Sequence, residues 1–468
     1  MSKTLVQRIK ELEGELEMLR AQLQESSEAG GDMEMFSNPS PNEERGCKPD
    51  GSSSKKGKKV SKGRPFDFSA HPRRHVALRL AYLGWAYQGF AVQENTDNTV
   101  EARLFEALLK TRLIQDRQSS NYHRCGRTDK GVSAFSQVIT IDLRSTQFCG
   151  GLGVTLPENV DISARNKAAV VELPYVKILN RVLPQDIRIL AWAPVAEGFS
   201  ARFDCQSRTY RYYFPRGSLD VALMADAAKR YEGTHDFRNL CKMDVGNGVL
   251  QFERAILSAE IKPVQPQYMS STDQYDLFIF EVKGLAFLYH QVRCMMAVLL
   301  LIGQKLEAPE IINQLLDVQS NPRKPQYSMA VDYPLVLYDC HFEGLSWKRE
   351  DEEVNHILSS LQQHWTQSAV KTHLLHGMIQ GLGGVSATHC WLIEGSRQKN
   401  YRPLLERPCC ESLESRIDHF VKRGRLELEE GENGEMVHRG KKSKHSHNSP
   451  SLPSEMPSSK QSTDQKAD

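Results

Sequence analysis

Three stretches in which large apolar residues recur at every second position constrain this chain most: Val76, Leu78, Leu80 and Tyr82; Val138 to Leu143; and Asp276 to Lys283. A period of two is that of a strand with one face in a core. Helical patterns run between them. Val100, Leu104, Ala107 and Leu108 follow Asn98 and Glu101, which read as a capping box. Asp220 to Glu232 predicts a second helix, and the apolar run from Phe287 to Ile302 a third. Tyr210–Pro215 and Ala330–Leu337 add short strands, and the Gly-rich, polar residues 149–167 a surface insertion. Strands and helices mix without a βαβ rhythm, so antiparallel hairpins are expected and the class is α+β.

The 468 residues would make about three average domains, but not all of them can fold. Leu5, Ile9, Leu12, Leu16, Leu19 and Leu23 follow coiled-coil spacing over residues 1–25, in fewer than three heptads that contain Gly14. Residues 26–65 carry almost no large apolar side chain and predict a disordered basic linker. The folded domain is expected over 66–349. From 350 to 428, Val354, Ile357, Leu358, Leu361 and Trp365, then Val370, Leu374 and Met378, predict a helical appendage packed on that domain. Residues 429–468 predict a disordered basic tail.

Whole-chain properties exclude some functions. The longest apolar run, Cys294 to Ile302, falls far short of the 18 or more residues of a membrane span, and the N-terminus opens on charged residues instead of an apolar signal core. With 60 Lys and Arg against 58 Asp and Glu the net charge is +2, so any nucleic-acid binding must come from local placement of charge. The ten cysteines include no CxxC pair and read as reduced thiols of the cytosol or nucleus. His71 with His75, and His373 with His376, lack a third ligand, so no structural zinc or other metal is expected. Basic clusters at Lys55–Lys59 and Arg439–Lys444 point to the nucleus, with the cytoplasm as the second compartment.

The chemistry concentrates in His123-Arg124-Cys125-Gly126-Arg127-Thr128-Asp129-Lys130-Gly131-Val132-Ser133-Ala134, in the loop before the Val138 strand. His123, Arg124, Arg127 and Lys130 surround one carboxylate. These cations are expected to hold Asp129 ionised even when partly buried, fit to act as nucleophile or base. The competing reading is an Asp-x-Gly turn that satisfies its own backbone. Around Phe203–Tyr213, Arg202, Arg208 and Arg211 interleave with aromatic residues, either a surface for unpaired RNA bases or a strand with one aromatic face in the core. Phe287-Leu288-Tyr289-His290-Gln291-Val292-Arg293 places one Arg at an apolar helix start, where it needs an anionic partner. Ala330–Leu337 supplies apolar residues, Leu335 among them, to wall a base-sized pocket.

Gly-Arg-Thr-Asp-Lys-Gly-Val-Ser-Ala at 126–134 resembles the signature loop of the TruA-type tRNA pseudouridine synthases. Tyr-Arg-Tyr at 210–212 and the 287–293 segment follow in the family's order, as do Gly84–Phe90 and Gly233–Phe237. The resemblance covers about residues 73–345 and is strongest to the eukaryotic branch that acts at tRNA positions 38 and 39. It implies two similar halves with antiparallel sheets, split near 200–220, flanking an RNA cleft. It implies an isomerase that turns uridine into pseudouridine in the tRNA anticodon stem-loop, usually as a homodimer and without cofactor or metal. By position, Asp129 matches the nucleophile, Tyr210 the residue stacked on the uracil, Arg127 the one assisting base flipping, and Arg293 the partner of the catalytic Asp. Lys130, Ser133 and Gln291 depart from the commoner family pattern. A catalytically silent tRNA-binding chaperone of the same fold is the alternative; a coiled-coil adaptor would use residues 5–23 alone.

Overall fold

The computed structural model describes residues 66–158, 171–265, 274–382, 400–424, 426, 428–430 and 436–438. The expected coiled-coil helix, the linker and most of the tail lie outside them. The strands predicted from alternation are all present. They are β1 (Arg73–Tyr82), β3 (Ser133–Arg144), β6 (Ser207–Pro215) and β9 (Leu277–Gly284). β2 (His123–Arg124), β4 (Val154–Thr155), β5 (Ile187–Pro194), β7 (Gly233–Asp236), β8 (Glu253–Pro263) and β10 (Leu335–His341) complete one ten-stranded sheet.

Its order is β4-β1-β3-β10-β6-β9-β8-β7, with β2 on β3 and β5 on β1. Neighbours are antiparallel except β10 and β3, which join in parallel at Val336–Ser133 and Leu337–Ala134. The molecule is therefore a mixed α and β structure on a large mixed sheet. Helices α1 (Val100–Lys110), α2 (Tyr175–Asn180), α3 (Val221–Lys229), α4 (Gln291–Gly303) and α5 (Ile311–Leu316) accompany it. Two apolar clusters form its core. One gathers β1, β3, β5, α1 and α2; the other gathers β6, β8, β9, α3 and α4. Tyr210 packs against both.

Several local expectations change. β1 is not half-buried: Val76, Ala77 and Leu78 are all inaccessible, because β3 and β5 pair its two edges and packing covers both faces. The cap of α1 is Thr99, whose hydroxyl accepts from Ala102 N; Asn98 instead donates to Ala86 O at 2.8 Å. Glu101, freed from a capping role, is buried and ion-paired. The expected insertion at 149–167 contributes β4, which pairs with Arg73 and Arg74. In the stretch 330–337 the strand begins only at Leu335; Ala330–Pro334 is a loop.

Helix α6 (Asp351–Gly381) runs for 31 residues. Its start is fastened by Glu350, whose carboxylate accepts from Val176 N and Lys177 N, and by Ile357, which is buried. Beyond that the appendage is not packed on the core as expected: Leu361, Trp365, Leu374 and Met378 are exposed, Trp365 by 71%. Helix α7 (Leu413–Lys422) instead turns Ile417 and Phe420 onto the second cluster. The tail is not uniformly without structure after 429. β11 (Leu428–Glu430) pairs antiparallel with β12 (Met436–His438). Among the described residues no helix is long and apolar enough to cross a membrane.

Candidate active site

The loop 125–132 leaves β2, returns to the sheet as β3, and spans the two cores: Cys125 and Ala134 belong to the first cluster, Val132 to the second. Backbone contacts fix it from several sides. Thr128 O accepts from Phe90 N at 3.1 Å, Thr128 Oγ1 bonds the Tyr82 hydroxyl at 2.7 Å, and Gln137 Nε2 donates to Gly126 O at 3.0 Å. Gly131 N donates to Tyr87 O, and Val132 N to Asp129 O. The last bond is the turn that the competing sequence reading predicts, so turn and displayed carboxylate coexist. Two glycines are required by space. A Cβ on Gly84 would lie 2.0 Å from Val132 O, and Gly131 has φ +76° with Asp332 against it.

Asp129 is held in this loop with its side chain 21% exposed, and the nearest ionisable partner is His290, with Nε2 3.5 Å from Oδ2. Burial raises its pKa to about 6; Arg293 and Lys242 work against that shift and Asp332 adds to it. The nearby cations thus do not offset burial fully, and the carboxylate lies above its ordinary range while remaining mostly ionised at neutral pH. Arg124 is committed elsewhere, at 2.6 Å from Glu101. The implied Arg293–Asp129 ion pair is also absent among the described residues: Arg293 Nε donates to Ala330 O at 2.8 Å, and its nearest carboxylate is Asp332 at 3.9 Å. Arg293 acts on Asp129 through space.

His290 cannot replace the missing cation. Burial and the neighbouring Arg293 and Lys242 push its pKa down to about 4, so it is neutral at physiological pH. It caps α4 in the left-handed region at φ 61°, lies tilted against the Tyr289 ring with centroids 3.8 Å apart, and among the described residues its buried Nδ1 and Gln291 Nε2 have no hydrogen-bond partner. Strained backbone and unpaired buried polar atoms cluster at functional sites.

Tyr210 lies on β6 opposite Leu337 and Val282, half-buried, its ring edge-on to Phe287 at 5.0 Å. Arg127 and Lys130 are exposed. Leu335 is 5% exposed and packed in the second cluster, so it forms core. Sequence reasoning missed His290, Lys242 and Asp332. Each lies within or beside a quoted motif, but nothing in spacing alone shows that they converge on Asp129. Exposed Trp85, Phe203, Tyr289 and Tyr333 add flat apolar faces. Trp85 Nε1 donates to Tyr333 O, next to Asp332, and Lys242 lies over the Tyr289 ring.

A desolvated carboxylate, poised near neutrality and set among aromatic faces and cations, defines an enzyme for a planar, polyanionic substrate. Residues 227–343 match the family profile described as tRNA pseudouridine synthase. The chain is 56% identical over 390 residues to the tRNA pseudouridine(38/39) synthase of Homo sapiens, covering 78% of this chain and 80% of that protein. It is 43% identical over 298 residues to the protein of the same name from Saccharomyces cerevisiae, covering 63% and 62% of the two chains. It is 31% identical over 264 residues to tRNA pseudouridine synthase A of Methanothermobacter thermautotrophicus, covering 55% and 80%. The chain belongs to the tRNA pseudouridine synthase family.

Proposed function

We propose that this protein is an isomerase that converts uridine to pseudouridine at positions 38 and 39 of the tRNA anticodon stem-loop, with Asp129 as nucleophile. The observation that carries this reading is the 56% identity over 390 residues to the human tRNA pseudouridine(38/39) synthase. Asp129 attacks the target uridine and the bond from ribose carbon one to uracil nitrogen one breaks. The freed uracil turns on the Tyr210 ring, its carbon five bonds to ribose carbon one and loses a proton as nitrogen one gains one, and Asp129 is released. Arg127, exposed at the loop, helps draw the base from its stack, and exposed Trp85, Phe203 and Tyr289 offer faces for the unstacked bases. Arg293 stabilises the ionised carboxylate through space. The two apolar clusters support a reading as two halves flanking the RNA cleft, with Tyr210 between them.

The assembly we infer is a homodimer. The exposed residues Val354, Leu358, Leu361 and Trp365 of α6, four and three apart, suit a helix seam between copies. The basic clusters at Lys55–Lys59 and Arg439–Lys444 support nuclear import, with the cytoplasm as the second site of action. The direct test incubates purified protein with unmodified tRNA bearing uridine at 38 and 39 and maps every new pseudouridine chemically. Modification at those two positions is expected; a map without them refutes the assignment.

A further inference from the structure

Three thiols distant in sequence meet beside the root of the Asp129 loop. Cys125 leads into that loop, Cys205 precedes β6, and Cys340 lies on β10; their three Sγ atoms all lie within 4.8 Å of one another. Cys125 and Cys340 are buried and Cys205 is half-buried. The sheet fixes their spacing. β10 is paired to β6 at Cys340–Arg208 and to β3 through Val336 and Leu337, while Cys125 N donates to Val138 O on β3 at 2.9 Å. Of the three thiols, only that of Cys205 has a hydrogen bond outside the group among the described residues, to Ser207 O at 3.4 Å.

The separation suits a thiophilic ion. Zinc–thiolate bonds of about 2.3 Å put the sulfurs of a tetrahedral set about 3.8 Å apart, so closing these three around an ion takes movements of about an ångström or less. Charge supplies an independent argument. Arg208 Nη2 donates to Cys125 O at 3.1 Å, and its charge acts on all three thiols. Three thiolates and one divalent cation leave one negative charge, which the Arg208 guanidinium neutralises. A monovalent ion would leave an uncompensated charge in a mostly buried place.

We propose that Cys125, Cys205 and Cys340 form a site for a thiophilic divalent cation, zinc by its chemistry, which ties the Asp129 loop to β10 and to the segment before β6. Binding displaces the three thiol protons and leaves a fourth position for water or another small ligand. The ion clamps the scaffold and takes no part in the base transfer. Its ligands are 80 and 135 positions apart in sequence, which is why the missing CxxC pattern spoke against zinc.

The test uses the full-length protein, purified under reductant, stripped with a chelator and reloaded with one metal at a time. Cobalt should give thiolate-to-metal charge-transfer absorption and intense tetrahedral visible bands that saturate at one equivalent and vanish when zinc is added. In competition with a chromophoric chelator, zinc affinity should fall at least about 100-fold in Cys205→Ser and Cys340→Ser, since even an outer-shell loss reaches that scale. A Cys409→Ser/Cys410→Ser variant, which removes two thiols outside the trio, should bind as the wild type does. Cys340→Ser risks misfolding, so the half-exposed Cys205→Ser, checked by circular dichroism, decides. Wild-type protein without cobalt bands overturns the proposal. So do bands that persist in Cys205→Ser, or a disulfide within the trio that survives reductant.

Discussion

Two carboxylates near arginines are treated in opposite ways by the fold. Glu101 on α1 is 1% exposed, yet Arg124 and Arg117 reach its two oxygens at 2.6 and 2.8 Å and Val92 N donates at 2.9 Å. Burial pushes its pKa up, but the Val92 bond and the two arginines outweigh it and hold the group below its ordinary range. Asp129 is more exposed and faces a neutral imidazole, and its pKa rises to about 6. Burial alone therefore does not decide the outcome; contact with charge does. Arginines contact the Glu101 carboxylate, whereas Asp129 has no contacting arginine among the described residues.

The largest expected effect follows from the reactive member. Asp129→Ala should lower pseudouridine formation at least about 10⁴-fold, the scale on which a nucleophile is lost, while tRNA binding changes little. A gel-shift titration beside a modification assay separates the two. Residual activity within tenfold of wild type would remove Asp129 from the nucleophile's role.

Stability should respond in the reverse order. Glu101→Gln should cost about 2–3 kcal/mol in urea unfolding at pH 7, below the about 3–5 kcal/mol of a fully buried broken pair, because Arg117 and Arg124 are part-exposed and can hydrate. The depressed Glu101 pKa contributes stability above the unfolded carboxylate's value and loses it as pH falls through the folded one. Asp129 has the opposite sign: its raised pKa makes ionisation a cost to the fold that grows as pH rises from about 4 to about 6. Asp129→Asn should therefore gain about 1–2 kcal/mol at pH 7, while activity disappears. A loss of stability in that variant would show that the carboxylate is compensated after all.

A smaller effect should appear in the pH profile. With Asp129 at about 6, kcat/KM should be level at higher pH and about tenfold lower at pH 5, falling with unit slope. A profile flat down to pH 5 would mean that the working carboxylate is as well paired as Glu101.

The same contrast marks what could be read from the chain. The strands β1, β3, β6 and β9 follow from periodicity, and Asp129 stands out in a charged loop before a strand. What the loop's charges do was not legible. Arg124 is five residues from Asp129 but is bound to Glu101, a partner 23 positions away that sequence reasoning assigned to a helix cap. Thr99 caps that helix because Asn98 is drawn to Ala86 O. Arg293 invited a carboxylate partner, and a backbone carbonyl at Ala330 took its Nε instead. The convergence of His290, Lys242 and Asp332, like the meeting of Cys125, Cys205 and Cys340, depends on strand order, which local patterns do not contain.

The smallest expected effect tests whether the ring or the hydroxyl of Tyr210 matters. Its ring is wedged edge-on against Phe287 between the two cores, and its hydroxyl makes no hydrogen bond among the described residues. Burial drives that hydroxyl's pKa above its ordinary value, so it is neutral at working pH and a poor base. If Tyr210 serves as a face for the turning uracil, Tyr210→Phe should keep turnover within about threefold of wild type. Tyr210→Ala should lose about 10- to 100-fold, the scale of one base–aromatic stack. Single-turnover rates at saturating enzyme isolate the step. Equal losses in the two variants would transfer the role from the ring to the hydroxyl, and make a second titratable group, beside Asp129, part of the chemistry.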